Sequence, residues 1–371
     1  MEGTSELLRG QRKAVRRIAL VSKLTDAFDL GDLVMSNSIV RCVRRAFPDS
    51  RIALFARQDE IVRYRDRFYV PHSWIDEFYP CPELSSDSWQ DWLRLYVRML
   101  TLRLDLCITN IDSLPAWFVF LTGIRLRVGV RPAGKYLSRL LTHPVALPAA
   151  RHWTDIASAY GAVLAGPAAV AVRNGVPFVR YEAEPTGLRD DIRRPIVVMH
   201  IGGAMHWNRR WPRESYLEIC VRLTRWLGAT IALVSGHEEQ TEVLWLTQRL
   251  MRLCPDACLE NLGGCPLNRL LNVYSSSDLY IGNDSGLMHL AVAVGLPVVA
   301  VFGPSNHRFF GPDRVDVRHQ VVTQDFVCSR GVCSLGCRPR YDSAHPEYPA
   351  CLKAVSVAQV WEAVLRGLQL C

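Results

Sequence analysis

Tyr280-Ile-Gly-Asn-Asp-Ser-Gly-Leu-Met-His-Leu290 places an acid, a hydroxyl, a glycine and a histidine at one turn between apolar runs. Gly295-Leu-Pro-Val-Val-Ala-Val-Phe-Gly-Pro-Ser305 follows closely. The pattern reads as strand end, turn, helix, strand, turn. Asp284 and Ser285 can cap a helix starting near Gly286, which leaves backbone N–H groups aimed at the turn. A helix tip of that kind takes a phosphate or diphosphate. Gly286 permits close backbone approach, and His289 in the first turn adds a donor toward the same anion. Asp-Ser-Gly alone also suits an ordinary βαβ unit; the specific signal is the whole run with both turns in order.

Other polar groups sit where strands should end. Gly31-Asp32 opens a helix after the first strand, and by itself Asp32 reads as an acid stabilising its own helix N-terminus. The preceding loop also holds Asp26 and Asp29. His200-Ile-Gly-Gly-Ala204 ends a later strand, and Gly202 and Gly203 allow a ligand near the backbone. Arg209-Arg210-Trp211-Pro212 follows, then Ser235-Gly-His-Glu-Glu239 after the next strand, then Asn261-Leu-Gly-Gly264. Cys328, Cys333, Cys337 and Cys351 could ligate a structural zinc or iron, although their spacing is not a pair of tight knuckles.

These positions need alternating strands and helices to hold them. Buried strands are expected at 17–22, 52–56, 104–109 and 127–130, with helices after Gly31 and over 85–104. A segment from about 176 to 194, with Pro177, Pro185 and Gly187, reads as a linker. Alternation restarts with strands at 196–200, 230–234, 279–281 and 298–301, and helices near 213–227, 238–252 and 267–276, with a final helix over 355–369. This predicts two α/β domains, 1–185 and 186–371, each with a parallel sheet.

Composition narrows the function. The chain has 371 residues, 49% hydrophobic and 22% charged, within the range of a soluble globular protein. No apolar run is long enough to span a bilayer, and the N-terminus does not read as a signal peptide, so the expected location is cytoplasmic. The net charge is +8, carried almost wholly by arginine; the lysines are Lys13, Lys23, Lys135 and Lys353. Arginine clusters suit phosphates, and the excess also fits peripheral contact with an anionic membrane surface. No nucleic-acid module appears. The first strand lacks Gly-x-Gly-x-x-Gly and no Walker lysine motif is present, which argues against nicotinamide and P-loop enzymes. No Asp-x-Asp pair follows a strand, so a metal-chelated donor is not suggested. Twelve cysteines without a secretion signal read as reduced thiols.

The run from 279 to 304 resembles the signature of glycosyltransferase family 9, the heptosyltransferases of lipopolysaccharide assembly and their relatives, and the likeness extends more thinly over 17–369. The resemblance implies a GT-B-like α/β fold, two doubly wound Rossmann-like domains facing a central cleft. It implies an inverting transfer of a sugar, by analogy heptose from ADP-heptose, to a hydroxyl of a glycan, lipid-linked or small-molecule acceptor, with no cofactor required. By position Asp32 corresponds to the proposed general base. Arg209, Asp284, Ser285, Gly286 and His289 correspond to the diphosphate site. Either Glu238 or Glu239 corresponds to the ribose contact, with Gly263 near the base pocket and Gly202, Gly203 and Gly303 along the donor cleft. Alternatives are a nucleotide-sugar epimerase of the same architecture and a non-catalytic nucleotide-sugar-binding protein.

Overall fold

The computed structural model of the 371-residue chain describes residues 14–22, 30–62, 74–83, 88–109, 116–130, 137–146, 152–166, 188, 192–203, 209–324 and 349–370. They fall into two compact units. The first contains β1 (Arg17–Val21), α1 (Leu30–Ala46), β2 (Arg51–Ala56), α2 (Gln58–Val62), β3 (Glu77–Pro80), α3 (Trp89–Thr101), β4 (Leu106–Thr109), α4 (Ala116–Leu121), β5 (Leu126–Val130), β6 (His143–Val145) and α5 (Trp153–Ala165). The second contains β7 (Ile196–His200), α6 (Arg213–Leu227), β8 (Thr230–Leu233), α7 (Gln240–Leu253), β9 (Cys258–Asn261), α8 (Leu267–Ser276), β10 (Leu279–Asn283), α9 (Gly286–Val294), β11 (Val298–Phe302), α10 (His307–Phe310), β12 (Gln320–Thr323), α11 (Ala350–Ala354) and α12 (Val357–Gly367). The boundary expected between 185 and 186 lies outside the described residues.

Each unit is built on a six-stranded parallel sheet, ordered β3-β2-β1-β4-β5-β6 in the first and β12-β11-β10-β7-β8-β9 in the second. Numbered within its own unit, the second order is the same as the first, read from the other edge. Both are the doubly wound plan, so the expected α/β fold class is borne out. The expected strands form the middle of each sheet. β7, β8, β10 and β11 are buried along their whole length, because helices cover both faces and a continuous apolar run is then favoured. The sequence reading did not anticipate β3, β6, β9 and β12, which are the four edges.

Local signals fix the helix ends. Ser285 Oγ accepts from Met288 N at 3.3 Å and caps α9, which Gly295 ends at φ 83°, a left-handed turn that glycine adopts without strain. Ser356 and Gln359 form a capping box on α12, worth about 1 kcal/mol. The second unit's core joins α6, α7 and α12 to the sheet through Trp211, Tyr216, Leu246 and Val364. Among the described residues no helix is long and apolar enough to cross a membrane.

At the end of β11 the chain turns at Gly303, and the Leu352 side chain of α11 lies where a side chain would project: an added Cβ would stand 2.5 Å from Leu352 Cγ. Gly303 therefore closes the packing of the C-terminal helices onto the sheet. Gly303→Ala should lower unfolding free energy by about 1–3 kcal/mol through overpacking, read as a reduced urea midpoint with unchanged slope.

Candidate functional site

The strand order of the second unit reverses between β7 and β10. Loops leaving the carboxyl ends there diverge, which opens a crevice above the sheet. The chain sends polar groups to that edge from three strands: His200 to Gly203 after β7, Ser235 to Glu239 after β8, and Asp284 and Ser285 after β10.

Asn283, the last residue of β10, is fully buried. Its Oδ1 accepts from Trp211 N at 2.9 Å and from the Tyr216 hydroxyl at 2.8 Å, and its Nδ2 donates to Gly202 O at 2.7 Å. Trp211 Nε1 donates to Val355 O at 3.0 Å. These bonds pin the Arg209-Arg210-Trp211 segment to the strand ends and to the turn before α12.

Glu239 is buried at the same edge. Gly203 N donates to its Oε1 at 2.7 Å and Gly236 N to its Oε2 at 2.9 Å. His200 Nε2 lies 3.0 Å from Oε2, and Arg210 Nη2 lies 3.9 Å from Oε1. An ionised carboxylate has about four acceptor positions, so both oxygens are occupied by protein groups. Gly202 is glycine for the same reason: a Cβ there would stand 2.0 Å from Glu239 Oε1. His200 Nδ1 in turn lies 3.2 Å from Ser285 Oγ. His200 thus bridges the buried Glu239 carboxylate and the Ser285 hydroxyl through its two ring nitrogens.

Above α9 the cap expected of Asp284 and Ser285 together falls to Ser285 alone. Asp284 instead pairs with Arg209, whose Nη1 lies 3.2 Å from Oδ2, and faces His289 Nε2 at 3.8 Å from Oδ1. Asp284 and His289 are buried, and Arg209 keeps partial exposure. Ser285 takes the amides of Met288 and His289, and helix geometry leaves those of Gly286 and Leu287 without an intrahelical acceptor. A bare carboxylate here would compete with an incoming anion; paired with Arg209 it holds a cation beside the helix tip. Burial pushes the Tyr280 phenol well above its ordinary range, so it stays protonated beneath the site.

Next to this edge lies a cavity of about 300 Å³ lined by Ser235, Gln240, Val243, Leu244, Thr247, Asn261 and Gly263, at the lower end of the range for small-molecule sites. A Cβ at Gly263 would come 2.8 Å from Ser235 Oγ, so glycine keeps that wall thin. The two glutamates separate here: Glu239 is buried in the network, whereas Glu238 is exposed.

In the first unit Asp32 is the third residue of α1; its side chain lies outside the described residues, as do Asp26 and Asp29. Cys328, Cys333 and Cys337 also lie outside them, and Cys351 is buried in α11. Among the described residues no group of three or more His, Cys, Asp or Glu is placed to hold a metal. The structure thus gathers Gly202, Gly203, Arg209, Glu239, Asp284, Ser285, Gly286 and His289 at one sheet edge. Sequence reasoning missed Asn283 and Tyr216, and gave His200 no role. The signal for Asn283 and His200 was available: each is a polar residue closing an otherwise apolar strand.

The family model for glycosyltransferase family 9 (heptosyltransferase) matches residues 92–336. Lipooligosaccharide heptosyltransferase 2 of Haemophilus influenzae is 28% identical over 119 residues, 32% of this chain and 34% of the relative. Lipopolysaccharide heptosyltransferase 2 of Escherichia coli is 30% identical over 123 residues, again 32% and 34%. The match thus spans about a third of the length of these curated relatives. The solved structure of E. coli ADP-heptose lps heptosyltransferase II superposes with a TM-score of 0.66 at 19% identity, covering 95% of this chain and 99% of that one, a likeness of fold.

The network around Glu239 predicts a clear asymmetry between adjacent residues. Glu239→Gln replaces one oxygen by a donor facing a backbone N–H, and should lower unfolding free energy by about 2–4 kcal/mol. Glu238→Gln should change it by less than about 0.5 kcal/mol. Urea denaturation of both variants checks this, and equal midpoints would count against the network.

Proposed function

Since the chain belongs to glycosyltransferase family 9, we propose that it is an inverting glycosyltransferase that moves heptose from ADP-heptose to a hydroxyl of a lipopolysaccharide-core acceptor. The observation that carries this reading is the tip of α9, with Arg209 held beside it by Asp284 and the cavity lined by Ser235, Thr247 and Gly263 on the same sheet edge. A diphosphate would lie on the amides of Gly286 and Leu287 with its charge shared by the Arg209 guanidinium. His289, buried against Asp284, steadies that pair. Asp284 acts as a positioning residue, since a carboxylate in direct contact with a diphosphate would repel it. The nucleoside would enter the cavity. With Glu239 buried and both its oxygens engaged by protein groups, the exposed Glu238 is the carboxylate assigned to the ribose hydroxyls.

The chemistry then needs two things. As the bond from the sugar to the diphosphate breaks, negative charge grows on the leaving phosphate, and preorganised N–H groups and a guanidinium stabilise it more than they stabilise the donor. A base must take the proton of the acceptor hydroxyl as that oxygen attacks; Asp32, in the first turn of α1, is assigned that role, with the first unit holding the acceptor. No metal is required in this scheme, since fixed protein charges do the work at the diphosphate. The matched relatives are named as transferases, which favours transfer over epimerisation of the donor.

Binding and turnover should separate. Arg209→Ala should weaken ADP binding about 10–100-fold, the loss of one charge-assisted contact, measured by calorimetry. Asp32→Asn should keep ADP affinity and lower kcat by about 10²–10⁴-fold in a transfer assay with ADP-heptose and a deacylated core acceptor. Unchanged ADP affinity in the first variant removes the diphosphate site as drawn. Near-normal turnover in the second removes Asp32 as base.

A further inference from the structure

Seven of the fourteen large apolar side chains that are exposed among the described residues lie on two neighbouring helices of the first unit, α3 and α4. Helix α3 carries two apolar stripes. One, centred on Leu95 and Met99, is buried on the sheet. The other is Trp89, Leu93, Val97 and Leu100, spaced by four, four and three residues along one face, with exposures of 68%, 49%, 48% and 44%. Core packing accounts for the first stripe and leaves the second in water.

Helix α4 extends the same surface. Its Phe118 is buried and takes edge contacts from Trp92 and Tyr96 of α3 at 5.5 and 6.1 Å between ring centroids. The Tyr96 hydroxyl donates to Leu121 O at 3.1 Å. Fixed by these contacts, α4 presents Trp117, Phe120 and Leu121 outward, each about half exposed. Single exposed apolar residues are ordinary; a concentration of this kind marks a contact surface.

The charge around the patch selects the partner. Arg94 and Arg98 run along the strip of α3 beside Leu93 and Val97, and Arg103 and Arg125 follow the C-terminal ends of α3 and α4; all four are exposed. The Arg127 guanidinium lies 5.2 Å from the Phe120 ring centre. On α3 the only acid is Asp91, which Arg94 already engages at 2.7 Å. Aromatic and aliphatic groups bordered by arginine match a bilayer with anionic headgroups, where rings enter the interface and guanidinium groups meet phosphates. Self-association across a two-fold axis would set these arginines against one another. We propose that the outer face of α3 and α4 rests on an anionic lipid bilayer. This proposal goes beyond the transfer reading and does not depend on it.

The test is co-sedimentation of the full-length chain with vesicles of phosphatidylglycerol mixed with phosphatidylcholine, against vesicles of phosphatidylcholine alone. The wild type should partition to the anionic vesicles and be released by high salt. The triple variant Trp89→Ser, Leu93→Gln, Trp117→Ser should lose at least about tenfold in partition, with unchanged far-UV circular dichroism and melting. Arg94→Glu with Arg98→Glu should lose a comparable factor through charge alone. The proposal is overturned by equal partition of the triple variant and wild type, by equal binding to neutral vesicles, or by a wild-type dimer in size-exclusion chromatography that the triple variant converts to monomer.

Discussion

The site of the second unit depends on burying one negative charge. Glu239 sits at the end of the loop after β8, out of water; Gly203 N and Gly236 N donate to its carboxylate, His200 Nε2 lies within hydrogen-bond distance, and the Arg210 guanidinium is paired with it at 3.9 Å. An ion of that kind is costly to bury unless it is paired and hydrogen-bonded. Held in that way, it dictates its surroundings. Gly202 has no room for a side chain, the loops after β7 and β8 are tied to one point, and His200 is turned so that its other nitrogen reaches Ser285. Through that serine the buried charge is linked to the cap of α9.

Asn283 performs the matching task with neutral groups. It joins the end of β10 to the loop after β7 and to the segment carrying Arg209 and Arg210. The ion pair between Arg209 and Asp284 then forms on a backbone fixed from both sides. Preorganisation of this sort matters more than the strength of any single contact, because donors already in place do not reorganise when charge develops. It also explains why acids and bases crowd together beside a helix tip suited to an anion: each acid there holds a cation or a backbone amide.

The sequence announced the middle of each sheet and stayed silent about its edges. Strands such as Val298–Phe302 are covered on both faces and read as unbroken apolar runs. Glu77–Pro80, His143–Val145, Cys258–Asn261 and Gln320–Thr323 are short, mostly partly exposed and mixed in polarity, which is how proteins blunt the ends of sheets. Their parallel pairing is decided by the strand beside them, so no local pattern betrays it.

By itself the sequence determined the doubly wound class, the eight central strands, the helix tip at Ser285-Gly286 and the family, because these rest on short-range patterns: periodicity, capping and the order of turns. Tertiary structure alone decided which of two adjacent glutamates is buried, that Asp284 holds Arg209 instead of capping its helix, and that Gly303 serves the Leu352 contact. Those outcomes depend on groups tens of residues apart meeting at one sheet edge. A carboxylate's role is set by the donors that reach it in space, and the one-dimensional order of residues does not encode that distance locally.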